Sequence, residues 1–254
     1  AIEYDDALFN FAEQNLPQKY KKQILFFNKS TLNEYSDFIQ KEHFKRILND
    51  FLEDYKFIIN DLMQNILIIN GSPRKNGNIS KMLEAIKEEA EKQGANVPAI
   101  HVHDLQIKPC NGCMNCRKNL TCVLPEDGAQ ATLQLINKCD VLVVGSPCYW
   151  GNLPGELKIL FDRIVYGMMG ESPKGIPQPL HKGKKAIIVS TCTTPYPFNI
   201  LFNQTRGTVK ALKEILKWSG FKIVSTIERG GTKKFPLQEK DFRHCRKIAL
   251  KALK

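Results

Sequence analysis

From Met63 onward two patterns of apolar and polar positions take turns along the chain. Short unbroken apolar runs predict buried strands, and longer stretches with apolar residues every three or four positions predict helices. "NILIING" (Asn65–Gly71) reads as the first strand, and "SKMLEAIKEEAEKQG" (Ser80–Gly94) as a helix closed by a terminal glycine. "NVPAIHVHDL" reads as the second strand and "CDVLVVGSP" (Cys139–Pro147) as the third. "PGELKILFDRIVYG" (Pro154–Gly167) follows as a helix with proline in its first turn. "KKAIIVSTC" (Lys184–Cys192) is the fourth strand, "RGTVKALKEILKWSG" a helix, "FKIVSTIERG" the fifth strand and "KDFRHCRKIALKALK" the closing helix. Alternation of this kind predicts an α/β fold with a five-stranded parallel sheet covered by helices on both faces. The expected strand order is 2-1-3-4-5, with ligands at the carboxyl ends of strands 1 and 3.

Residues 1–62 follow another pattern. They hold eight of the fourteen phenylalanines, and Phe38, Phe44, Ile47, Leu48, Phe51 and Tyr55 recur roughly as one helical face. A cap signal at Ser30 or Thr31 precedes them. The expectation is a helical N-terminal extension over 1–62, packing on the main domain at 63–254 or on a partner chain.

Charge separates the same two parts. Residues 1–62 hold eight Lys/Arg and eleven Asp/Glu, whereas residues 63–254 hold twenty-nine and fifteen. The basic part favours anionic ligands such as phosphates and nucleotides. No helix-turn-helix, RNP or zinc-finger pattern accompanies it, so nucleic acid is not expected as a partner. No apolar run reaches the roughly eighteen residues of a membrane span, and "AIEYDDALFN" has no signal pattern, so no membrane is expected and the cytoplasm is the expected place.

Three loops carry candidate chemistry. "GSPRKNGNIS" (Gly71–Ser80) joins the first strand to the first helix, where free N–H groups and the helix dipole favour an anion. Ser72, Asn78 and Ser80 add neutral donors and Arg74 a fork-shaped cation, a set suited to one terminal phosphate. Neither GxxxxGK[ST] nor GxGxxG occurs in the chain. "SPCYWGNLPGELKILFDR" (Ser146–Arg163) leaves the third strand with Tyr149 and Trp150 as flat apolar surface and Gly151 and Asn152 as polar edges, a mixture suited to a planar heterocycle. "TCTTPYPFN" (Thr191–Asn199) would wall the same crevice.

These loops resemble the flavodoxin-like NAD(P)H-dependent FMN reductase family, and within it the iron–sulfur flavoproteins. The resemblance runs over about 63–254 and rests on "GSPRKNGN" and "SPCYWGNLPGELKILFDR". It implies FMN bound non-covalently, with Ser72, Arg74, Asn78 and Ser80 on its phosphate. It implies Pro147, Cys148, Tyr149, Trp150, Gly151 and Asn152 along the isoalloxazine, with Thr191, Thr193 and Thr194 at the far edge. It further implies NAD(P)H as a transient electron donor, a small-molecule or redox-protein electron acceptor, and a homodimer or homotetramer. Ile79 departs from the pattern, standing where the family often has threonine. No side chain is singled out as catalytic, because a flavin carries the chemistry; His101 and His103 are read as structural.

"PCNGCMNCRKNLTC" places Cys110, Cys113, Cys116 and Cys122 in one loop with the spacing C-x2-C-x2-C-x5-C. Three readings stand open: a [4Fe–4S] cluster, zinc, or thiols without metal. The resemblance implies the cluster, which would open a second function as an electron carrier between ferredoxin-type donors and acceptors. Cys148 and Cys192 fall on the flavin loops and are read either as redox-sensitive or as small apolar filler.

Overall fold

The computed structural model describes residues 63–254, and the helical extension expected over 1–62 lies outside them. Five strands pair in parallel: β1 (Ile66–Asn70), β2 (Ala99–His101), β3 (Val141–Pro147), β4 (Lys185–Thr191) and β5 (Lys222–Arg229). Their order across the sheet is 2-1-3-4-5, as the alternation predicts. Five helices longer than two turns cover the sheet: α1 (Asn78–Lys92), α2 (Gly128–Lys138), α3 (Gly155–Arg163), α4 (Thr205–Ser219) and α5 (Glu239–Leu253).

Successive strand side chains point to opposite faces, and the core divides accordingly. Leu67 and Ile69, Leu142 and Val144, and Ala186 and Ile188 pack with α2, α3 and α4. Ile66 and Ile68, Val141 and Val143, and Ile187 and Val189 pack with α1 and α5. Both faces are buried, so these strands read as continuous apolar runs instead of alternating ones. Because α1 leaves β1 on one face and α3 leaves β3 on the other, a crevice opens between the two loops at the carboxyl edge.

Three features differ from the sequence expectation. Helix α2 was not expected at all. It starts on a capping box in which the Asp127 side chain accepts from the Ala129 N–H at 2.9 Å and Gln130 reaches back to the Asp127 N–H at 3.1 Å. The helix expected over Pro154–Gly167 instead ends at Arg163, where Ile164 turns to φ −107° and ψ 12°, and one further turn spans Val165–Met168. An antiparallel ribbon, Met169–Glu171 against Pro177–Pro179, then follows before β4. Among the described residues no helix is long and apolar enough to cross a membrane.

Candidate functional site

The first loop is organised by Asn70 at the end of β1, a residue the sequence reading passed over. Its amide oxygen accepts the Ser72 N–H at 3.0 Å, and its amide nitrogen donates to the Ser80 hydroxyl at 2.8 Å. The Ser80 hydroxyl donates in turn to the Arg74 carbonyl at 2.9 Å, and the Ser72 hydroxyl accepts the Arg74 N–H at 3.2 Å. Buried Ser72 therefore keeps its own proton to give, whereas Ser80 has spent its proton on the loop and offers its N–H.

Beyond this loop α1 begins without a side-chain cap and without an acidic residue in its first turn. Its first intrahelical bond from this end runs from the Lys81 N–H to the Gly77 carbonyl, so the N–H groups of Asn78, Ile79 and Ser80 precede it. Ile79 sends its side chain into the core, so threonine's hydroxyl has no counterpart there. Arg74 is exposed beside this uncapped end. Lys75 instead pairs with Asp104 at 2.8 Å, and His101 lies 3.7 Å from the same carboxylate. Burial lowers the His101 pKa, with Asp104 opposing.

The second loop is a tight turn. The Cys148 N–H extends the ladder to the Thr191 carbonyl at 2.9 Å, and Tyr149 and Asn152 exchange N–H···O bonds of 3.0 and 2.9 Å. Trp150 and Gly151 between them both have positive φ, +53° and +70°, the signature of a two-residue reversal. Gly151 is required twice over, since a Cβ there would lie 2.8 Å from the Asn203 carbonyl oxygen. Gly207 of α4 approaches as closely, where a Cβ would come within 2.0 Å of the Gly151 oxygen. The Asn152 carbonyl accepts from the Thr208 hydroxyl at 3.0 Å and its side-chain oxygen from the Leu153 N–H at 2.8 Å. The turn is thus docked on α4, with Tyr149 half-exposed and Trp150 fully exposed.

The third loop is fastened to the chain that leaves β5. Thr194 accepts the Gly231 N–H at 2.7 Å, and Cys192 accepts from the Thr232 N–H at 3.1 Å. Thr191 is buried and Thr193 exposed. Beneath it buried Asn199 donates to the Thr205 hydroxyl at 2.9 Å, which donates to Glu228 at 3.0 Å. This network was also missed by the sequence reading. Tyr196, Phe198, Leu201 and Phe202 form an exposed apolar rim, the two phenylalanine rings stacked at 5.6 Å.

The four-cysteine loop differs. Cys110 and Cys113 are exposed, Cys116 and Cys122 half-buried. Burial raises the Cys116 pKa, and Cys122, Cys110 and Cys113 add to the rise. They do not close into a ligand set: among the described residues no three His, Cys, Asp or Glu side chains are grouped to hold a metal ion. The Cys122 sulfur accepts from the Arg163 Nε at 3.3 Å. The donor chemistry suits a thiolate-bound centre, and the arrangement does not.

Arg163 is itself a structural centre. Its Nη1 donates to the Lys108 carbonyl at 2.6 Å and to Asp127 at 2.7 Å, joining the two ends of the cysteine loop. Burial raises the Asp127 carboxyl, but the Ala129 and Lys108 N–H groups and Arg163 outweigh it and hold the carboxyl below its usual range.

Comparison with known proteins follows the same outline. The family model of NADPH-dependent FMN reductases matches residues 64–226. The chain belongs to that family. It is 39% identical over 105 residues to an iron–sulfur flavoprotein of Archaeoglobus fulgidus, covering 41% of this chain and 51% of that one. It is 35% identical over 97 residues to an iron–sulfur flavoprotein of Methanosarcina thermophila, covering 38% and 50%. An FMN-dependent NADH:quinone oxidoreductase of Pseudomonas syringae is 46% identical over 66 residues, 26% of this chain and 33% of that one. The chain thus spans about half the length of the iron–sulfur flavoproteins it matches. In fold it is similar to an FMN-dependent NADH-azoreductase of Bacillus anthracis solved with FMN, with TM-score 0.61 and 16% identity over 76% of this chain and 100% of that one.

Proposed function

We propose that residues 63–254 bind FMN non-covalently and that the chain is an NAD(P)H-dependent flavin oxidoreductase passing electrons to a small molecule or redox protein. The observation that carries this reading is the uncapped start of α1, with its free first-turn N–H groups, set at the switch point beside the β3 turn. FMN, when bound, supplies acceptance of hydride and onward transfer of electrons.

The chain's own residues bind and orient. The Ser72 hydroxyl, the Asn78 amide, the Ser80 N–H and the Arg74 guanidinium hold the phosphate, braced by Asn70. Pro147, Cys148, Tyr149 and Gly151 wall the ring system, and Asn152 has its amide N–H left to offer. Thr191, Thr193 and Thr194 close the far edge. Trp150, fully exposed at the turn, is placed to cover a visiting ring.

A second reading, an electron carrier with a [4Fe–4S] cluster on Cys110, Cys113, Cys116 and Cys122, is favoured by their C-x2-C-x2-C-x5-C spacing in one loop. Among the described residues no three of them are grouped to hold a metal ion.

The test is titration of FMN into the purified chain, followed by flavin fluorescence and by bleaching with NADH or NADPH. Saturable uptake and bleaching are expected. Failure to take up FMN would remove the reading, and uptake without bleaching would leave a carrier.

A further inference from the structure

Cys148 and Cys192 stand one residue beyond the last registered pair of β3 and β4, Pro147 opposite Thr191. The ladder continues past that pair, because the Cys148 N–H donates to the Thr191 carbonyl at 2.9 Å. Two residues in the next register position of adjacent parallel strands point to one face. Their Cα atoms are then separated by about the strand spacing of ~4.8 Å, inside the ~4.4–6.8 Å window of a disulfide. Both are free thiols.

Their surroundings are unequal. Cys148 is half-buried, its sulfur 3.7 Å from the Gln204 amide oxygen. Cys192 is buried, its thiol turned to the Thr194 carbonyl at 3.4 Å. Burial raises the Cys192 pKa, and Cys148 adds to the rise.

We propose that Cys148 and Cys192 form a redox-active dithiol site that exchanges two electrons with low-molecular-weight disulfides and thiols. Cys148, as thiolate, attacks one sulfur of glutathione disulfide. That S–S bond breaks, a mixed disulfide forms on Cys148, and one glutathione thiolate leaves. Cys192 loses its proton to solvent and attacks the Cys148 sulfur, forming the protein disulfide and releasing the second glutathione. Both cysteines are oxidised and one glutathione disulfide is reduced to two thiols; excess thiol reverses the sequence. A bridge between directly registered strands is strained, because Cβ atoms at strand spacing lie farther apart than a relaxed disulfide prefers. Strain makes such a bridge easy to reduce, as a cycling pair requires. The four-cysteine loop is the competing place for oxidation, and its thiols lie on a different segment between β2 and β3.

The experiment uses the full chain. It is incubated with glutathione disulfide, its remaining thiols are blocked with N-ethylmaleimide, and it is digested without reduction for peptide mass spectrometry. The expected result is a cross-linked peptide pair joining Cys148 to Cys192, removed by dithiothreitol. In Cys192→Ser the glutathione adduct on Cys148 should accumulate, because the resolving sulfur is gone. Absence of the pair in the wild type, a bridge from Cys148 to any other cysteine, or equal adduct on Cys148 in both proteins would overturn the proposal. The incubation is run with and without added FMN, because Cys148 walls the proposed ring site; the FMN-free sample decides the proposal, so its outcome is separate from that of the flavin reading.

Discussion

Arg163→Met tests the most heavily buried charge in the described domain. The residue is 1% exposed, and its side chain's three polar contacts lie on the Lys108 carbonyl, the Asp127 carboxylate and the Cys122 sulfur. Methionine fills similar space without charge. The Asp127 carboxylate then stays 14% exposed without its cation, although the Ala129 and Lys108 N–H groups still donate to it. Breaking a buried pair from one side costs roughly 3–5 kcal/mol. Two surviving donors put this case at the low end, about 3 kcal/mol. For a domain of this size that is a fall in Tm of about 6–12 °C, read by far-UV circular dichroism. Adding Asp127→Asn should recover part of the loss, because asparagine still caps α2 and carries no charge. A single-variant loss under about 1 kcal/mol, or a double variant no more stable than Arg163→Met, would refute the argument that the unpaired carboxylate is the cost.

Four further outcomes follow. Arg74→Gln should raise the Kd for FMN about tenfold, near 1.4 kcal/mol, and unchanged affinity in a fluorescence titration would take Arg74 off the phosphate. Trp150→Asn should stabilise the chain by about 1 kcal/mol in urea, since asparagine tolerates the φ of +53° that costs tryptophan; equal or lower stability would speak against strain at the turn. Burial lowers the pKa of both His101 and His181 below 6.5, so as pH falls through that value the unfolded chain takes up protons that the folded chain does not. Stability should therefore rise as pH is raised toward and through 6.5, less steeply in His181→Gln, and a flat urea midpoint would contradict the burial argument. The exposed rim of Tyr196, Phe198, Leu201 and Phe202 should be covered in a homodimer or homotetramer and opened by Phe202→Asp, whereas a monomeric wild type in sedimentation would remove that assembly.

The strands and the loops that leave them were legible because the information that makes them is local. Apolar runs ending in Gly71 and Pro147 mark where the backbone leaves the sheet, and the next helix fixes what that exit can bind. Position in the fold then brings the β1 and β3 loops together without any side chain having to announce it. Helix α2 was overlooked although its signal was present: Asp127 and Gln130 carry the capping spacing, but Gly128 in the first turn and the cysteine loop before it hid the start of an amphipathic run.

Other features depend on partners far away in the chain, and those no local pattern contains. Arg163 ends "LFDR" like any basic residue in a last helical turn, and only the packed domain sets it against Lys108, Cys122 and Asp127. Asn199 and Glu228 are likewise joined only through Thr205. The cysteines show both cases at once. Their spacing in "PCNGCMNCRKNLTC" is visible in sequence, yet whether they converge depends on where the loop is held, and Arg163 holds Cys122 from outside it. Cys148 and Cys192, separated in sequence and carrying no spacing motif, are brought side by side by strand register. Motif spacing therefore identifies which thiols could act together along a loop, while sheet register decides which thiols do stand together across the fold.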